Sequence, residues 1–171
     1  MKATEIAQWQ ATEFPPPTGE DVYELLQKHR LAQQSTELTI AICKEAASGR
    51  YFQVVSPEDG LIAHVFVTGM FRGEQANITV VPITKHFRSG FDEPFHSAMA
   101  PVLRDLFDVH GVRRLNAESP KSRSRTKRAL CSLGFVSEGK AADGVQMLGE
   151  KPEDLKLLGL TARNYAKTRR E

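Results

Sequence analysis

Three side chains in the middle of the chain could take up a proton from a substrate. His64 alternates with Ala63 and Val65 in an apolar run, Glu74 lies in a glycine-containing stretch, and Glu118 ends a short apolar segment. A carboxylate or a neutral imidazole within hydrogen-bond reach of a substrate can act as a general base. A lone histidine in an apolar run is equally typical of a half-buried structural residue, and an isolated glutamate of a solvated one. Both interpretations stay open for each of the three.

The strongest charge bias lies in residues 121–128, KSRSRTKR, where five of eight side chains are positive. Such a segment can be a solvated helix face, or it can bind phosphate groups, for which Arg and Lys are suited. The phosphates of a nucleic-acid backbone are one such target, although no aromatic residue is interleaved to stack on single-stranded bases. Lys167, Arg169 and Arg170 could extend the patch if the C-terminal tail folds back.

Composition excludes several classes of protein. The chain has 171 residues, 40% of them hydrophobic and 26% charged, which fits one ordinary globular domain. A net charge of +2 does not by itself indicate a nucleic-acid or membrane partner. No segment approaches the ~20 apolar residues that span a bilayer, so we expect a cytoplasmic protein without a membrane partner. The cysteines and histidines are not at metal-ligand spacing, so no metal site is expected.

Hydrophobic periodicity predicts the element order α, α, β, β, β, α, β, α, β, β. Asp59-Gly60 supplies the turn of a hairpin between the first two strands. Helices are predicted at residues 18–30, 36–48, 95–109 and 122–133, and strands at 51–55, 61–68, 77–83, 112–117, 135–138 and 145–148.

The ends of the chain differ from its middle in composition. Residues 1–18 include three consecutive prolines, 15–17, which favour an extended segment. We expect an N-terminal arm that packs on the core or contacts a protein partner. Residues 19–150 would form the domain. Residues 151–171 are polar, and their helical propensity predicts a basic helical tail.

The element order resembles that of the GNAT superfamily, the GCN5-related N-acetyltransferases, over roughly residues 20–150. The closest local match is a helix that ends in Leu133-Gly134-Phe135, followed by a hairpin with Glu138-Gly139 and Asp143-Gly144. The resemblance implies an α+β fold with a central mixed, mostly antiparallel sheet, splayed between strands 4 and 5 of the family and flanked by helices. It also implies acetyl-CoA as the cofactor. The size and the element order are compatible with GNAT-like proteins among tailed-phage gene products.

The resemblance also implies positions for the site. Glu118 is favoured as the general base, because it ends a strand where the family's sheet splays. The sequence departs from the family in two places. Asp92 and Glu93 follow the expected phosphate loop, and Leu130 occupies the position where many members have a tyrosine that can protonate the leaving thiolate of CoA. The residues implied to contact the cofactor are Val81 and Ile83 (with Thr84 as a further backbone donor) at the acyl carbonyl, Arg88, Ser89, Gly90 and Phe91 at the pyrophosphate, and Arg123, Arg125 and Lys127 at the 3′-phosphate.

The expected function is therefore that of a GNAT-type N-acetyltransferase, which transfers an acyl group from acyl-CoA to an amine that the sequence does not name. One alternative is a catalytically degenerate GNAT-fold protein with a structural or assembly role, such as a phage virion or head-assembly component, which would then be located in the virion. A second alternative is a nucleic-acid-binding module that uses the basic helix. The net charge and the missing aromatic residues argue against this second alternative.

Overall fold

The computed structural model of the chain describes residues 8–70, 74–83, 85–87 and 90–169. These residues form one seven-stranded sheet with helices on both faces. The helices are α1 (Gly19–Lys28), α2 (Thr36–Ser48), α3 (Asp92–Arg104), which continues into a π-helical turn (Asp105–Val109), α4 (Ser124–Ser132) and α5 (Ala162–Thr168). The strands are β1 (Gln10–Phe14), β2 (Arg50–Ser56), β3 (Gly60–Thr68), β4 (Gln75–Pro82), β5 (Arg114–Pro120), β6 (Val136–Val145) and β7 (Glu153–Thr161).

The strands lie in the order β1-β2-β3-β4-β5-β7-β6. Every neighbouring pair is antiparallel except β4 and β5, which run parallel. The prediction of a mixed, mostly antiparallel sheet flanked by helices is confirmed.

The parallel pair separates soon after it begins. Only Gln75, Ala76 and Asn77 of β4 pair with β5, against Arg114, Leu115 and Asn116. Beyond Asn116, β5 keeps its pairing with β7 up to Pro120, while β4 keeps its pairing with β3 up to Pro82. The sheet is therefore splayed between its fourth and fifth strands, as predicted.

Alternation along the strands divides the core into two layers. On one face Phe52, Val65 and Val80 pack with the apolar sides of α3 and α4. On the other face Phe66 and Val81 pack with α1 and α2. The larger layer includes three helix residues without exposed surface, Phe95, Met99 and Leu106. It packs against the splayed part of the sheet on the face covered by α3 and α4.

The N-terminal arm takes part in the sheet. Gln10–Phe14 pairs antiparallel with β2, and the proline run follows this strand as the link to α1. Arg50 holds the edge by donating two hydrogen bonds to Glu13, at 2.9 and 2.8 Å, and one to Asp105 at 2.6 Å. This segment therefore packs on the core as a strand of the sheet, and the sheet begins before residue 19.

The prediction of a basic helical tail from residue 151 is also wrong. β7 lies in the interior of the sheet between β5 and β6, and of the described residues 151–169 only Ala162–Thr168 is helical. Leu158 and Leu160 of β7 are 2% and 0% exposed, so this strand closes the core. In the sequence, the lysine and acidic residues of β7 interrupt its apolar alternation, so the alternation does not indicate a strand. β6 is likewise one bulged strand instead of two short ones.

Candidate active site

The splay opens into a chamber of about 500 Å³ between the sheet and helices α1 and α2. Its walls are mainly apolar, with contributions from Leu26, Ile42 and Met147. Two carboxylates, Glu45 and Glu118, are also part of the lining. The chamber can therefore hold an apolar chain and bring a proton acceptor close to it.

A second space of about 540 Å³ adjoins the chamber, and we call it the mouth. Leu31, Val81 and Thr126 line both spaces, so the two form one continuous cleft. The mouth is walled by residues at the end of α1 and at the start of α4. Its charged lining residues are Lys28, Arg30, Arg123 and Arg125.

Of the three predicted bases, the structure brings only Glu118 into the cleft. Glu74 directly precedes β4, where its carbonyl oxygen accepts the N–H groups of Arg113 and Arg114. That is the closed end of the splay, away from the opening. His64 is 9% exposed and lies under the end of α1, outside the cleft lining.

His64 belongs to a hydrogen-bonded chain within the smaller core layer. Gln53 donates to the Tyr51 hydroxyl at 3.0 Å, and that hydroxyl lies 2.7 Å from His64 Nδ1. Since the Tyr51 oxygen accepts from Gln53, its own proton is free for Nδ1, which makes His64 neutral with its proton on Nε2. Burial, together with the nearby His29 and Lys28, lowers the pKa of His64 to about 4. His64 is therefore a structural histidine at neutral pH.

Backbone donors on β4 are limited by the ladder to β3. Ile83 donates its N–H to the Ile62 carbonyl at 2.8 Å, so it is not available to a substrate. By alternation the N–H of Val81 also faces β3, whereas that of Val80 faces the splay beyond the last β4–β5 pair. Pro82 has no N–H. The N–H groups of Val81 and Ile83, which were expected to face a substrate, thus face β3, and that of Val80 faces the splay. Thr84 lies outside the described residues.

The predicted phosphate loop is described only in part, since Arg88 and Ser89 lie outside the described residues. Gly90 has φ +90°, a conformation that glycine adopts easily. Phe87 and Phe91 are 4% and 3% exposed, with ring centroids 4.3 Å apart. Both rings pack into the core beneath α3, and neither lines the cleft. These two rings therefore do not fill the chamber or the mouth.

The start of α3 carries its own ion pair. Asp92 lies in the first turn, and its carboxylate is 3.3 Å from the guanidinium of Arg128 on α4. Arg128 also lies over the Phe91 ring, 5.1 Å from its centroid. A phosphate at this helix start would have to compete with Asp92 for Arg128.

The basic segment does not act as one surface. Arg123 and Arg125 line the mouth, but Lys127 does not, and Arg128 is paired with Asp92. The tail residues Lys167 and Arg169 lie in and after α5, which follows Thr161, the partner of Arg114 at the far end of β5 from α4. They do not extend the patch, and Arg170 lies outside the described residues. This separation removes the main structural support for a nucleic-acid interface.

Leu130, at the position where the resembling family often has its general-acid tyrosine, lies inside the core. Leu130 has no exposed surface. Of the residues that the structure describes, no tyrosine lines the chamber or the mouth. In the described part of the chain, a leaving group in the cleft would therefore have no tyrosine beside it to supply a proton.

Two residues of the mouth were not predicted from the sequence. They are Lys28 and Arg30, at the end of α1. Arg30 and Arg123 are 93 positions apart in the sequence. The run Lys28-His29-Arg30 at a predicted helix end is a visible cluster of cations. Its proximity to residues 123–125 depends on long-range packing that no local pattern reports.

The residues that the structure describes contain no group of three or more His, Cys, Asp or Glu side chains arranged to hold a metal ion. No helix in them is long and apolar enough to cross a membrane.

Comparison with known proteins shows what the chain resembles. No protein-family model and no curated protein matches the sequence. A spermidine N-acetyltransferase from Vibrio cholerae, solved in complex with CoA and spermine, superimposes with a TM-score of 0.65 at 14% identity, covering 93% of this chain and 98% of that one. A GNAT-family acetyltransferase from Bacillus anthracis superimposes with a TM-score of 0.61 at 16% identity, again covering 93% and 98%.

These similarities extend over nearly the whole of each chain. Identities of this size establish the fold and do not carry function. The chain therefore has the GNAT fold.

Proposed function

We propose that the protein transfers an acyl group from an acyl-CoA thioester to an amine. The observation that carries this proposal is the convergence of Val80 and Glu118 on one cleft. The splay turns the backbone N–H of Val80 on β4 away from β3 and toward the opening, and the chamber behind it is lined by a carboxylate from β5. The fold neighbour solved with CoA and spermine supports a thioester and an amine as the reactants.

In the proposed reaction the amine nitrogen attacks the thioester carbonyl carbon. Glu118 accepts the proton that the amine loses, and the N–H of Val80 donates a hydrogen bond to the carbonyl oxygen as negative charge develops there. The C–S bond then breaks, the new C–N bond remains as an amide, and the thiolate takes a proton from solvent. The apolar walls of the chamber lower the local polarity around the carbonyl, which strengthens both interactions.

The mouth suits the phosphates of CoA better than the start of α3 does. Arg123 and Arg125 line it, whereas Asp92 places a negative charge at the loop implied by the family resemblance. Gly90 still allows close approach of a ligand to that loop. We therefore retain Arg88, Ser89 and Gly90 as candidate cofactor residues at that loop, and Arg123 and Arg125 at the mouth. Phe91, whose ring is buried in the core, and Lys127, which does not line the mouth, are not retained.

The direct test is a titration with acetyl-CoA by calorimetry, followed by thiol release in the presence of a panel of amines. Binding at micromolar concentrations and an amine-dependent release of CoA, with the amide product identified by mass spectrometry, are expected. Absence of heat at hundreds of micromolar acetyl-CoA would contradict the proposal. It would instead favour a GNAT-fold protein with a structural or assembly role.

A further inference from the structure

The mouth of the cleft is lined by positive charge from two directions. Lys28 and Arg30 come from the end of α1, and Arg123 and Arg125 from the start of α4. Among the residues that the structure describes, no aspartate or glutamate lines it. Like charges that face one cavity repel each other, so this arrangement is unfavourable unless an anion enters.

Most of this charge has no partner within the protein. In the part of the chain that the structure describes, the side chains of Lys28, Arg30 and Arg125 make no hydrogen bond or ion pair. Arg123 donates to the Arg30 carbonyl at 2.6 Å and lies 3.6 Å from Glu150. The first turn of α4 contains no acidic residue. Glu150 therefore offsets one of the four cations, and three remain available.

Arg30 also occupies an unusual backbone position. The N–H of Arg30 bonds to the Gln27 carbonyl and that of Leu31 to the Leu26 carbonyl, which is the hydrogen-bond pattern of a Schellman helix end. The residue after the helix cap then has positive φ, +56° for Arg30, where glycine would be unstrained. The helix end therefore gives no reason for an arginine. A strained residue beside a cavity points to a role for its side chain there.

We propose that the mouth is a two-sided anion site that binds a phosphate or diphosphate group of a substrate. Guanidinium groups on opposite walls can donate paired hydrogen bonds to phosphate oxygens. Two sources share this chemistry: the phosphates of acyl-CoA, which rests on the proposed function, and a phosphate carried by the acceptor amine. A polycationic amine, such as the spermine bound to the fold neighbour, would be repelled at this entrance.

The site can be tested with inorganic pyrophosphate, independently of any acyl transfer. Calorimetry would compare the unsubstituted protein with Arg30→Gly, Arg125→Gln and the control Arg163→Gln, an exposed arginine on α5. We expect Arg30→Gly and Arg125→Gln each to weaken pyrophosphate binding about 3- to 10-fold. Arg163→Gln should leave it unchanged, and Arg30→Gly should keep or raise the melting temperature because glycine relieves the backbone strain. No binding by the unsubstituted protein at millimolar pyrophosphate, or equal binding by all four proteins, would overturn the site.

A comparison of CoA with pantetheine, which lacks the phosphates, identifies the source. If Arg30→Gly weakens CoA binding and leaves pantetheine binding unchanged, the mouth holds the phosphates of the acyl carrier. If it weakens pyrophosphate binding and leaves CoA binding unchanged, the phosphate belongs to the acceptor. Pyrophosphate binding that depends on Arg30, in a protein that does not bind CoA, would support the anion site while contradicting the proposed acyl transfer.

Discussion

Glu118 lies two positions past Asn116, the last residue of β5 that pairs with β4. On its other side β5 still pairs with β7, where Glu118 is opposite Leu157. The strand is therefore held firmly on one side and open on the other. A carboxylate at this point has a rigid support and access to the chamber, which are the two properties that a general base needs.

Replacing Glu118 with glutamine removes the proton acceptor and keeps the shape of the side chain. We expect kcat for amine acylation to fall about 10²- to 10³-fold, with little change in the affinity for CoA. Steady-state kinetics over a range of pH would measure the effect. Glu74→Gln is the matched control, because Glu74 lies at the closed end of the splay. Equal activity of the two variants would exclude Glu118 as the base.

The backbone N–H of Val80 can be removed by Val80→Pro. This N–H does not take part in the ladder to β3, so we expect the sheet to form, whereas the developing oxyanion would lose its donor. Loss of one such donor costs about 10²- to 10³-fold in kcat. Val80→Ala keeps the donor and serves as the control for lost packing. Circular dichroism would establish that both variants are folded, and similar turnover by the two would contradict the assignment.

At the scale of elements, the sequence predicted what periodicity can report. The paired core strands β2 to β5 and helices α1, α2 and α4 have apolar residues at the expected spacing. β1 was missed because its residues are mostly exposed, and β7 because its charged residues suggested a helix. The place of Glu118 could be predicted because it directly follows the apolar run of residues 112–117, although β5 continues past it to Pro120. The contact between Arg30 and Arg123 could not be predicted, since it joins residues that are distant in the chain.

The packing of α1 against β3 makes stability depend on pH through His64. The folded state keeps His64 neutral down to about pH 4, whereas the unfolded chain takes up the proton near pH 6.5. The free energy of unfolding should therefore be highest above pH 6.5 and fall as the pH is lowered toward 4, by up to about 3 kcal/mol. Lys28, His29 and Tyr51 face the same ring and favour its neutral form.

Urea unfolding between pH 7.5 and 4.5 would measure this dependence. His64→Gln should reduce the slope in this range, and a smaller slope should remain from His29, whose pKa is also lowered by burial. His96→Gln, at an exposed histidine on α3, should leave the curve as it is. The carboxylate of Glu13, whose pKa is lowered by Arg50, contributes only at lower pH. An unchanged slope in His64→Gln would show that another group is responsible.

At the scale of the whole molecule, the C-terminal segment completes the sheet that carries the site. β7 pairs with all seven residues of β5 and is also the partner of β6. Without it, β5 would lose the support that holds Glu118 in place, and the buried side chains of Leu158 and Leu160 would be absent from the core. Each buried leucine contributes about 2 to 5 kcal/mol, and a whole domain is stable by only about 5 to 15 kcal/mol.

A chain that ends at residue 150 should therefore fail to fold, whereas one that ends at residue 161 should fold with reduced stability. The longer form keeps β7 and loses α5, together with the stacking of Tyr165 on Phe107, whose ring centroids are 4.5 Å apart. Thermal melts followed by circular dichroism would distinguish the two. A cooperative transition near that of the full chain in the form that ends at residue 150 would show that residues 19–150 fold alone. In that case β5 would not need β7 to present Glu118 to the cleft.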